Sequence, residues 1–497
     1  MNGAPVRDIV VVGGGSAGWM SAAALATALA SGDGRYRIRL VESDAIGSVG
    51  VGEATIPMIQ RFNRFLGIDE DAFLRATHAT FKLGIEFEGW GAPGGRYIHG
   101  FGRVGQNLAS VPFHQYWSAM RRQGRAAPLG DYTLSCAAAR AGKFRHPDPA
   151  LGDSPLADVA YAYHFDATAY AAYLRELATS RGVVRTEGRI VGVQQGPDGG
   201  VAALRLESGE RVGGDLFVDC SGFRSLLLGE TLGVPFEDWS HWLPCDRALA
   251  VPCAPAGSLL PLTRASARRA GWQWRIPLRH RTGNGHVFCS AHMSEDEAAA
   301  TLLSHLDGRP LAEPRLIRFR TGRRRVAWER NVVAVGLAGG FLEPLESTSL
   351  HMIQTGIARL IAFFPDAGFA QADIDEFNRQ AAFEAERIRD FIILHYHLNT
   401  RAEPFWRACA EMDVPDTLRR KIDLYRSHGR LVRVGDELFA ENGWLQVFEG
   451  QGLRPERDHP LAGLRADEDV AAYLEGVREV VGNCVRAMPA HADYLRG

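Results

Sequence analysis

Three short apolar segments with no polar face dominate the hydrophobic pattern of the chain. They lie within residues 7–12, 215–220 and 331–336, and each leads into a turn of small residues. Segments of this kind are typical of strands buried on both faces of a parallel sheet. Residues 19–29 are rich in alanine and predict a helix, and residues 36–42 predict another strand. The sequence therefore predicts an N-terminal strand–helix–strand unit, together with later strands of the same sheet.

A helical periodicity follows the last of these strands. Apolar residues recur at Leu350, Ile353, Ile357, Leu360, Ile361 and Phe364, which is the spacing of one helix face. Residues 341–350 therefore join a strand to a helix start, where backbone N–H groups and the helix dipole favour an anion. The carboxylates of Glu343 and Glu346 in this segment have a second explanation, because Pro344 and acidic residues also suit a first helical turn.

Composition limits the classes of function without selecting one. A chain of 497 residues predicts two or three interlocked domains. The net charge of −2 gives no general attraction to nucleic acid or to an anionic membrane. No apolar stretch approaches 18 residues and no basic leader precedes the first strand, so we expect a cytoplasmic protein. The seven cysteines include no CxxC pair, and we expect no metal site.

The turn after the first strand carries a dinucleotide-binding pattern. Residues 13–18 read Gly-Gly-Gly-Ser-Ala-Gly and satisfy GxGxxG, with a strand before them and a helix after them. Such glycines permit close approach of a pyrophosphate to the helix start. Glu42 ends the second strand, where an acidic side chain binds ribose hydroxyls. The later strand–turn–helix at residues 332–364 resembles the plan of FAD-binding oxygenases of the glutathione-reductase type, which favours FAD over NAD.

Four further segments together resemble the flavin-dependent tryptophan halogenase family. They are residues 50–57 (GVGEATIP), 80–90 (TFKLGIEFEGW), 272–277 (WQWRIP, the family's WxWxIP signature) and 341–350 (FLEPLESTSL). The resemblance implies that reduced FAD and O₂ convert chloride or bromide to hypohalous acid, which halogenates an electron-rich aromatic compound. It also implies a separate NADH-dependent flavin reductase that supplies FADH₂ by diffusion, since the chain shows no second nucleotide fingerprint.

The resemblance assigns catalytic roles to three side chains. Lys82 would hydrogen-bond the hypohalous acid or carry its halogen as a haloamine, although an ordinary strand lysine with its ammonium group in water is the alternative. Glu346 would face Lys82 and accept the proton that the ring loses, and Ser347 would add a hydrogen bond. The implied halide site consists of the backbone N–H groups of Thr348 and Ser349. The tryptophan enzymes often have glycine at the second position, so the serine requires an unstrained φ.

The resemblance also implies a set of cofactor contacts along the chain. These residues are Gly13, Gly15, Ser16, Ala17, Gly18, Glu42, Gly52, Ala54, Thr55, Ile190, Gly336, Leu337 and Leu350.

Aromatic residues are the candidates for the substrate side of the site. Trp272 and Trp274 alternate on a predicted strand and therefore point to one face; they are either core residues or a wall between flavin and substrate. His99 and Phe101 resemble the family's His-x-Phe element, whose rings sandwich the substrate. Trp444 is a further candidate lining residue.

The C-terminal segment that grips the amino-acid backbone in the tryptophan enzymes differs in this chain. Residues 436–448 look shorter and differently arranged. This difference weakens free tryptophan as the substrate, and a simple indole, a phenol or a larger tryptophan-containing molecule remain open.

We therefore expect an α/β chain with the glutathione-reductase-type FAD-binding fold, similar to flavin monooxygenases. The FAD-binding domain would be discontinuous (about 1–110, 155–230 and 325–365), with a β-rich segment, 231–324, over the flavin and substrate. Residues 366–497 would form a helical region that closes the substrate site, in a monomer or a homodimer. An aromatic hydroxylase on the same scaffold and a non-catalytic flavin-binding protein are the rival interpretations.

Overall fold

A six-stranded sheet organises the first of two units into which the chain divides. The computed structural model describes residues 4–30, 35–46, 52–108, 110–255 and 257–496. The first unit comprises Met1–Ala79, Phe165–Pro244 and Arg318–Glu386, and the second comprises Thr80–His164, Cys245–Ile317 and Arg387–Gly497. Each unit is therefore assembled from three separate stretches of chain.

The strands are β1 (Asp8–Val12), β2 (Arg37–Glu42), β3 (Gly52–Ala54), β4 (Thr80–Lys82), β5 (Gly84–Glu88), β6 (Arg96–Gly100), β7 (Ala162–Asp166), β8 (Val184–Glu187), β9 (Ile190–Gln195), β10 (Val201–Leu206), β11 (Arg211–Gly213), β12 (Leu216–Asp219), β13 (Phe236–Asp238), β14 (Arg247–Cys253), β15 (Leu262–Arg268), β16 (Gly271–Pro277), β17 (Thr282–Phe288), β18 (Arg315–Arg318), β19 (Gly322–Arg324), β20 (Trp328–Glu329), β21 (Val332–Ala334) and β22 (Gly340–Phe341).

The α-helices are α1 (Ser16–Ala28), α2 (Met58–Phe65), α3 (Glu70–Ala76), α4 (Phe113–Arg122), α5 (Leu134–Arg140), α6 (Ala167–Ser180), α7 (Glu295–Ser304), α8 (Ser349–Ala362), α9 (Gln371–His397), α10 (Pro404–Glu411), α11 (Asp416–His428), α12 (Glu441–Gly450), α13 (Asp467–Ala487) and α14 (His491–Tyr494).

The main sheet of the first unit has the strand order β20-β21-β12-β1-β2-β8. All its pairs are parallel except the edge pair of β20 and β21. The carboxyl ends of β1, β12 and β21 therefore lie along one edge, and this is where nucleotides bind in open α/β sheets. The predicted strands 7–12, 36–42, 215–220 and 331–336 all belong to this sheet, and the expected α/β fold class is confirmed.

One buried carboxylate stabilises the turn after β12. Asp219 is fully buried and accepts hydrogen bonds from the backbone N–H groups of Ser221, Leu227 and Leu228 at 3.0, 2.8 and 2.9 Å. It also accepts one from the Ser221 hydroxyl at 2.5 Å. Several donors compensate the cost of burying this charge, so the turn keeps a defined shape beside the glycine-rich loop.

A seven-stranded sheet organises the second unit, with the order β18-β14-β17-β16-β15-β5-β6. The pairs formed by β14, β17, β16 and β15 are antiparallel, and β5 pairs parallel to β15 and antiparallel to β6. Strand β4 pairs antiparallel with β7 through residues 80–82 and 162–164. The helices from α10 to α14 belong to this unit.

The structure divides the chain at other positions than those expected from the sequence. Residues 80–110 were expected in the FAD-binding domain, but β5 pairs with β15, so they belong to the second unit. The same unit contains residues 245–317 and the C-terminal stretch from Arg387, which were expected to be separate regions. No helix among the described residues is long and apolar enough to cross a membrane.

Candidate functional site

The glycine-rich turn after β1 leaves open space in front of helix α1. Gly15 precedes the helix with φ −75° and ψ −170°, and a Cβ atom there would meet no atom of the described residues within 4 Å. A Cβ atom at Gly18, in contrast, would overlap the carbonyl oxygen of Gly13. Gly13 has φ +108°, in the region that favours glycine. The turn thus has the shape that a pyrophosphate needs at a helix start, with Ser16 and Ala17 in the first helical turn.

Glu42 lies beside this turn, as its predicted ribose-binding role requires. A Cβ atom at Gly14 would overlap its carboxylate. One carboxylate oxygen, Oε1, accepts a hydrogen bond from Nε of Arg185 on β8 at 2.6 Å. This bond raises the pKa of the Arg185 guanidinium. The sequence pattern identified Glu42 but not its partner, because the neighbouring strand β8 comes from a distant part of the chain.

Several other predicted cofactor residues of the first unit lie between strand β21 and helix α8 or on that helix, whereas one lies in another part of the unit. Gly336 (φ +72°) follows β21, and a Cβ atom there would lie 2.9 Å from Cβ of Ala17, so this turn meets the start of α1. Leu337 follows Gly336 and is half-buried. Leu350, on α8, is buried. Ile190, in contrast, packs on the apolar cluster of the main sheet, and its role in cofactor binding stays a prediction.

The predicted flavin-side segment is only partly described. Gly50 and Val51 lie outside the described residues, and Gly52 begins β3. Ala54 and Thr55 are buried. Between them and Gly52, burial raises the pKa of the Glu53 carboxyl to about 7. Sequence patterns did not single out Glu53, because only the folded surroundings change its pKa.

The segment 341–350 places a left-handed residue directly before helix α8. Residues 344–346 form one 3₁₀ turn, and the N–H of Ser347 donates to the Pro344 carbonyl at 3.0 Å. Ser347 has φ +59°, whereas Ser349 is the first helical residue with ordinary backbone angles. Ser349 therefore has the unstrained φ that a serine at this position requires, because the left-handed turn falls two residues earlier.

The start of α8 has the chemistry of an anion site. Thr348 precedes the helix, and its Oγ1 atom is buried without a hydrogen-bond partner among the described residues. The first backbone N–H groups of a helix have no partner within the helix, and its dipole adds positive potential there. A halide fits this combination of an unpaired hydroxyl and N–H groups.

Both carboxylates of this segment are buried. Glu343 and Glu346 are 0% and 1% exposed. Acidic residues that merely complement a helix dipole are usually solvated, because burying a charge is costly. Simple capping is therefore a poor explanation, and a buried Glu346 agrees with a proton-accepting role.

A cluster that sequence patterns missed anchors helix α8 to α9. His351, Thr355 and Arg359 are spaced four residues apart on α8 and meet the carboxylate of Glu384 at 3.1, 2.8 and 2.9 Å. Burial would raise the pKa of Glu384, but the hydrogen bond from His351 and the neighbouring charges hold it below its usual value. The spacing of four residues was the only sequence signal for this cluster.

In the second unit, Lys82 ends strand β4 and is fully buried. Its Nζ atom lies 5.5 Å from the ring centroid of Phe101, within the range of a cation–π contact. Lys82 is therefore not an ordinary strand lysine whose ammonium group is exposed to water. A buried ammonium group beside an aromatic ring is instead a typical feature of a reactive site.

The two tryptophans of β16 point to one face of the sheet, as predicted. The ring centroids of Trp272 and Trp274 are 6.1 Å apart, and the two residues are 1% and 7% exposed. Nε1 of Trp274 is buried without a hydrogen-bond partner among the described residues. Both the core and the wall interpretation agree with this burial, so the wall remains a prediction.

His99 and Trp444 belong to one aromatic cluster of the second unit. The His99 ring lies 5.6 Å from Phe391 and 6.1 Å from Phe439, and Trp444 lies 4.8 Å from Phe391. Trp444 donates its ring N–H to the carbonyl of Phe439 at 3.1 Å. Their predicted contact with substrate stays a prediction, and Phe101 lies beside Lys82.

Comparison with known proteins gives one consistent answer. The sequence model described as tryptophan halogenase matches residues 8–467. The tryptophan 6-halogenase ThaL of Streptomyces albogriseolus is 34% identical over 529 aligned residues, which cover 99% of this chain and 98% of that protein. Two solved structures are more similar. Xcc4156, a flavin-dependent halogenase from Xanthomonas campestris, superposes with a TM-score of 0.95 at 50% identity and covers 99% of this chain and 98% of its own. BrvH, a flavin-dependent halogenase from Brevundimonas sp. BAL3, gives 0.94 at 51% identity over 99% of each chain.

Proposed function

The chain belongs to the tryptophan halogenase family, and from this premise we propose that it halogenates an indole or a similar electron-rich aromatic compound. Flavin-dependent halogenases are enzymes that use FADH₂, O₂ and a halide, and they receive the reduced flavin from a separate reductase. Our proposal goes beyond family membership in two respects, the identity of the substrate and the role of each residue.

Bound reduced flavin, with O₂, supplies the two-electron oxidation of the halide. The residues of this chain hold and direct the reactants. The turn at Gly15 receives the pyrophosphate, and the start of α8 with Thr348 holds the halide. Lys82 donates a hydrogen bond to the oxygen of the hypohalous acid and so orients its halogen. As the aromatic carbon bonds to the halogen, the oxygen–halogen bond breaks and the oxygen leaves as water with a proton from Lys82. The ring proton passes to Glu346.

The observation that carries this proposal is the burial of three polar groups in the segments that resemble the family's motifs. The Lys82 ammonium, the Glu346 carboxylate and the Thr348 hydroxyl are 0%, 1% and 1% exposed as residues. Burying charged groups is costly, and enzymes accept this cost where the chemistry needs them. A protein that only bound flavin would not need all three groups.

The C-terminal segment supports a substrate without an amino-acid backbone. Asp436 and Glu441 of this segment are exposed, and its buried acid, Glu437, already pairs with Lys421 at 2.8 Å. A free amino acid needs a counterion for its ammonium group. An indole needs none, so this pairing favours it.

A panel of substrates tests this proposal. The protein is incubated with FAD, a flavin reductase, NADH and either chloride or bromide, with indole, tryptophan or a phenol as substrate. We expect halogenated indole, recognised by the isotope pattern of its mass, and less product from free tryptophan. If halide-independent oxygen incorporation survives Lys82→Ala, the protein is a hydroxylase. If it binds FAD but modifies no member of the panel, it is a flavin-binding protein without this activity. We further propose that it works in the cytoplasm as a monomer or a homodimer.

A further inference from the structure

The strand that carries Lys82 is only three residues long, so its position depends on few hydrogen bonds. Strand β4 covers Thr80–Lys82 and pairs with residues 162–164 of β7. Two fully buried histidines from distant parts of the chain, His164 and His491, bond to the two residues that precede Lys82. Both histidines belong to the same unit as β4.

The hydrogen bonds around His164 determine which ring nitrogen carries the proton. The Thr80 hydroxyl donates to the carbonyl of Pro277 at 2.7 Å. It has no second hydrogen, so it must accept at its 3.1 Å contact with Nδ1 of His164, and Nδ1 is protonated. In the neutral ring Nε2 then accepts from the Thr263 hydroxyl at 2.9 Å. The chain of donors runs in one direction, from Thr263 through His164 and Thr80 to Pro277, the last residue of the WxWxIP segment.

The same reasoning assigns the proton of His491. The backbone N–H of Phe81 donates to Nε2 of His491 at 3.2 Å, so Nε2 has no proton. Nδ1 lies 2.8 Å from the carbonyl of Leu259, which can only accept, so Nδ1 carries the proton. The His491 ring is therefore neutral, and a neutral His164 ring has the same tautomer, with the proton on Nδ1.

The surroundings keep both rings uncharged. Burial lowers the pKa of His164 well below its usual value, and the charges of Lys82 and Arg275 act in the same direction. Burial lowers the pKa of His491 to about 4, with Arg279 as the nearby cation. Protonation of His491 would place an N–H against the N–H of Phe81 and break the contact.

We propose that His164 and His491 are positioning residues that hold strand β4 and thereby keep Lys82 in its reactive position. This inference rests on the proposed role of Lys82. His164 acts through Thr80 and His491 acts through Phe81, the two residues that precede Lys82. Loss of either bond lets the ammonium move, and a displacement of about 1 Å at a reacting group can cost about a hundredfold in rate.

Paired substitutions separate this role from general core packing. His164→Leu and His491→Leu remove the bonds. His164→Asn retains a donor to Thr80, and His491→Gln retains an acceptor for Phe81. His286→Leu is the matched control, since His286 is also fully buried and neutral but bonds to the carbonyl of Ala298. Thr80→Val with Thr80→Ser forms a third pair in case a histidine variant fails to fold.

The measured quantity is the fraction of oxidised halide that reaches the aromatic product, with released hypohalous acid captured by a chemical trap. We expect this fraction to fall about tenfold to a hundredfold in the leucine variants and in Thr80→Val. It should recover in His164→Asn, His491→Gln and Thr80→Ser, and remain at the wild-type value in His286→Leu. An unchanged fraction in folded leucine variants, or an equal loss in His286→Leu, would overturn the proposal.

NMR spectroscopy tests the same hydrogen bonds and does not require catalytic activity. In protein labelled with ¹⁵N-histidine, the imidazole nitrogens of both residues should show the neutral form with the proton on Nδ1. A proton on Nε2, or a charged ring at neutral pH, would refute the inference. A wild-type protein that oxidises no halide would refute the proposed function instead, and the NMR result would then decide the histidine contacts alone.

Discussion

Substitution of Gly15 by alanine should separate cofactor binding from folding. The backbone of Gly15 (φ −75°, ψ −170°) is accessible to alanine, and within the described parts of the chain no atom lies within 4 Å of the new Cβ atom. Alanine restricts the unfolded chain, which stabilises the protein by about 0.4–1 kcal/mol. Alanine is a poorer residue than glycine before a helix, at a cost of about 0.5–1 kcal/mol. These effects offset each other, so the free energy of unfolding of the apoprotein should change by less than about 1 kcal/mol.

FAD binding should respond very differently. The new methyl group occupies the space where a pyrophosphate approaches the start of α1. We expect the affinity for FAD to fall by at least about tenfold, or about 1.4 kcal/mol. Urea unfolding of the apoprotein and titration with FAD, followed by flavin fluorescence, measure the two quantities.

Gly18→Ala is the control with the opposite expectation. Its Cβ atom would overlap the Gly13 carbonyl oxygen, so the main chain must shift, and overpacking of this kind costs about 1–3 kcal/mol. Gly18→Ala should therefore destabilise the apoprotein itself. If Gly15→Ala binds FAD as tightly as the wild type, the placement of the cofactor at this turn is wrong.

Other substitutions test the remaining parts of the site. Lys82→Met should lower aromatic halogenation at least about a hundredfold while the trap still detects oxidised halide; loss of both activities together would count against its assigned role. Glu384→Gln should raise the KM for halide more than the KM for the aromatic substrate, because Glu384 anchors α8 through His351, and Glu376→Gln on the exposed face of α9 should change neither. Because His491 has a pKa of about 4 when folded and about 6.5 when unfolded, the unfolded chain binds the extra proton between these values. The contribution of His491 to the free energy of unfolding should therefore be fully present above pH 6.5, and up to about 3 kcal/mol of it should be lost as the pH drops to 4. In His491→Gln, urea unfolding should no longer show this pH-dependent loss.

Local sequence patterns predicted the elements that depend on neighbouring residues. The apolar strands, the turn at Gly15 and the helix that begins at Ser349 all follow from short-range periodicity and glycine placement. The domain division was predicted less well, because it depends on the pairing of β5 with β15, in which Glu86 meets Arg264 across 178 positions of the chain. No periodicity in one segment specifies a partner at that distance.

The sequence by itself determined the fold class and the glycine-rich turn at Gly15, and it selected Lys82 and Glu346 as candidates, since these follow from local patterns and short motifs. Only the tertiary structure decided which groups are buried and what they bond to. It pairs Glu42 with Arg185, places Glu384 against α8, and brings His491 to Phe81 across 410 positions. Burial and hydrogen-bond partners set the charge and the tautomer of a side chain, and these depend on which distant segments pack together.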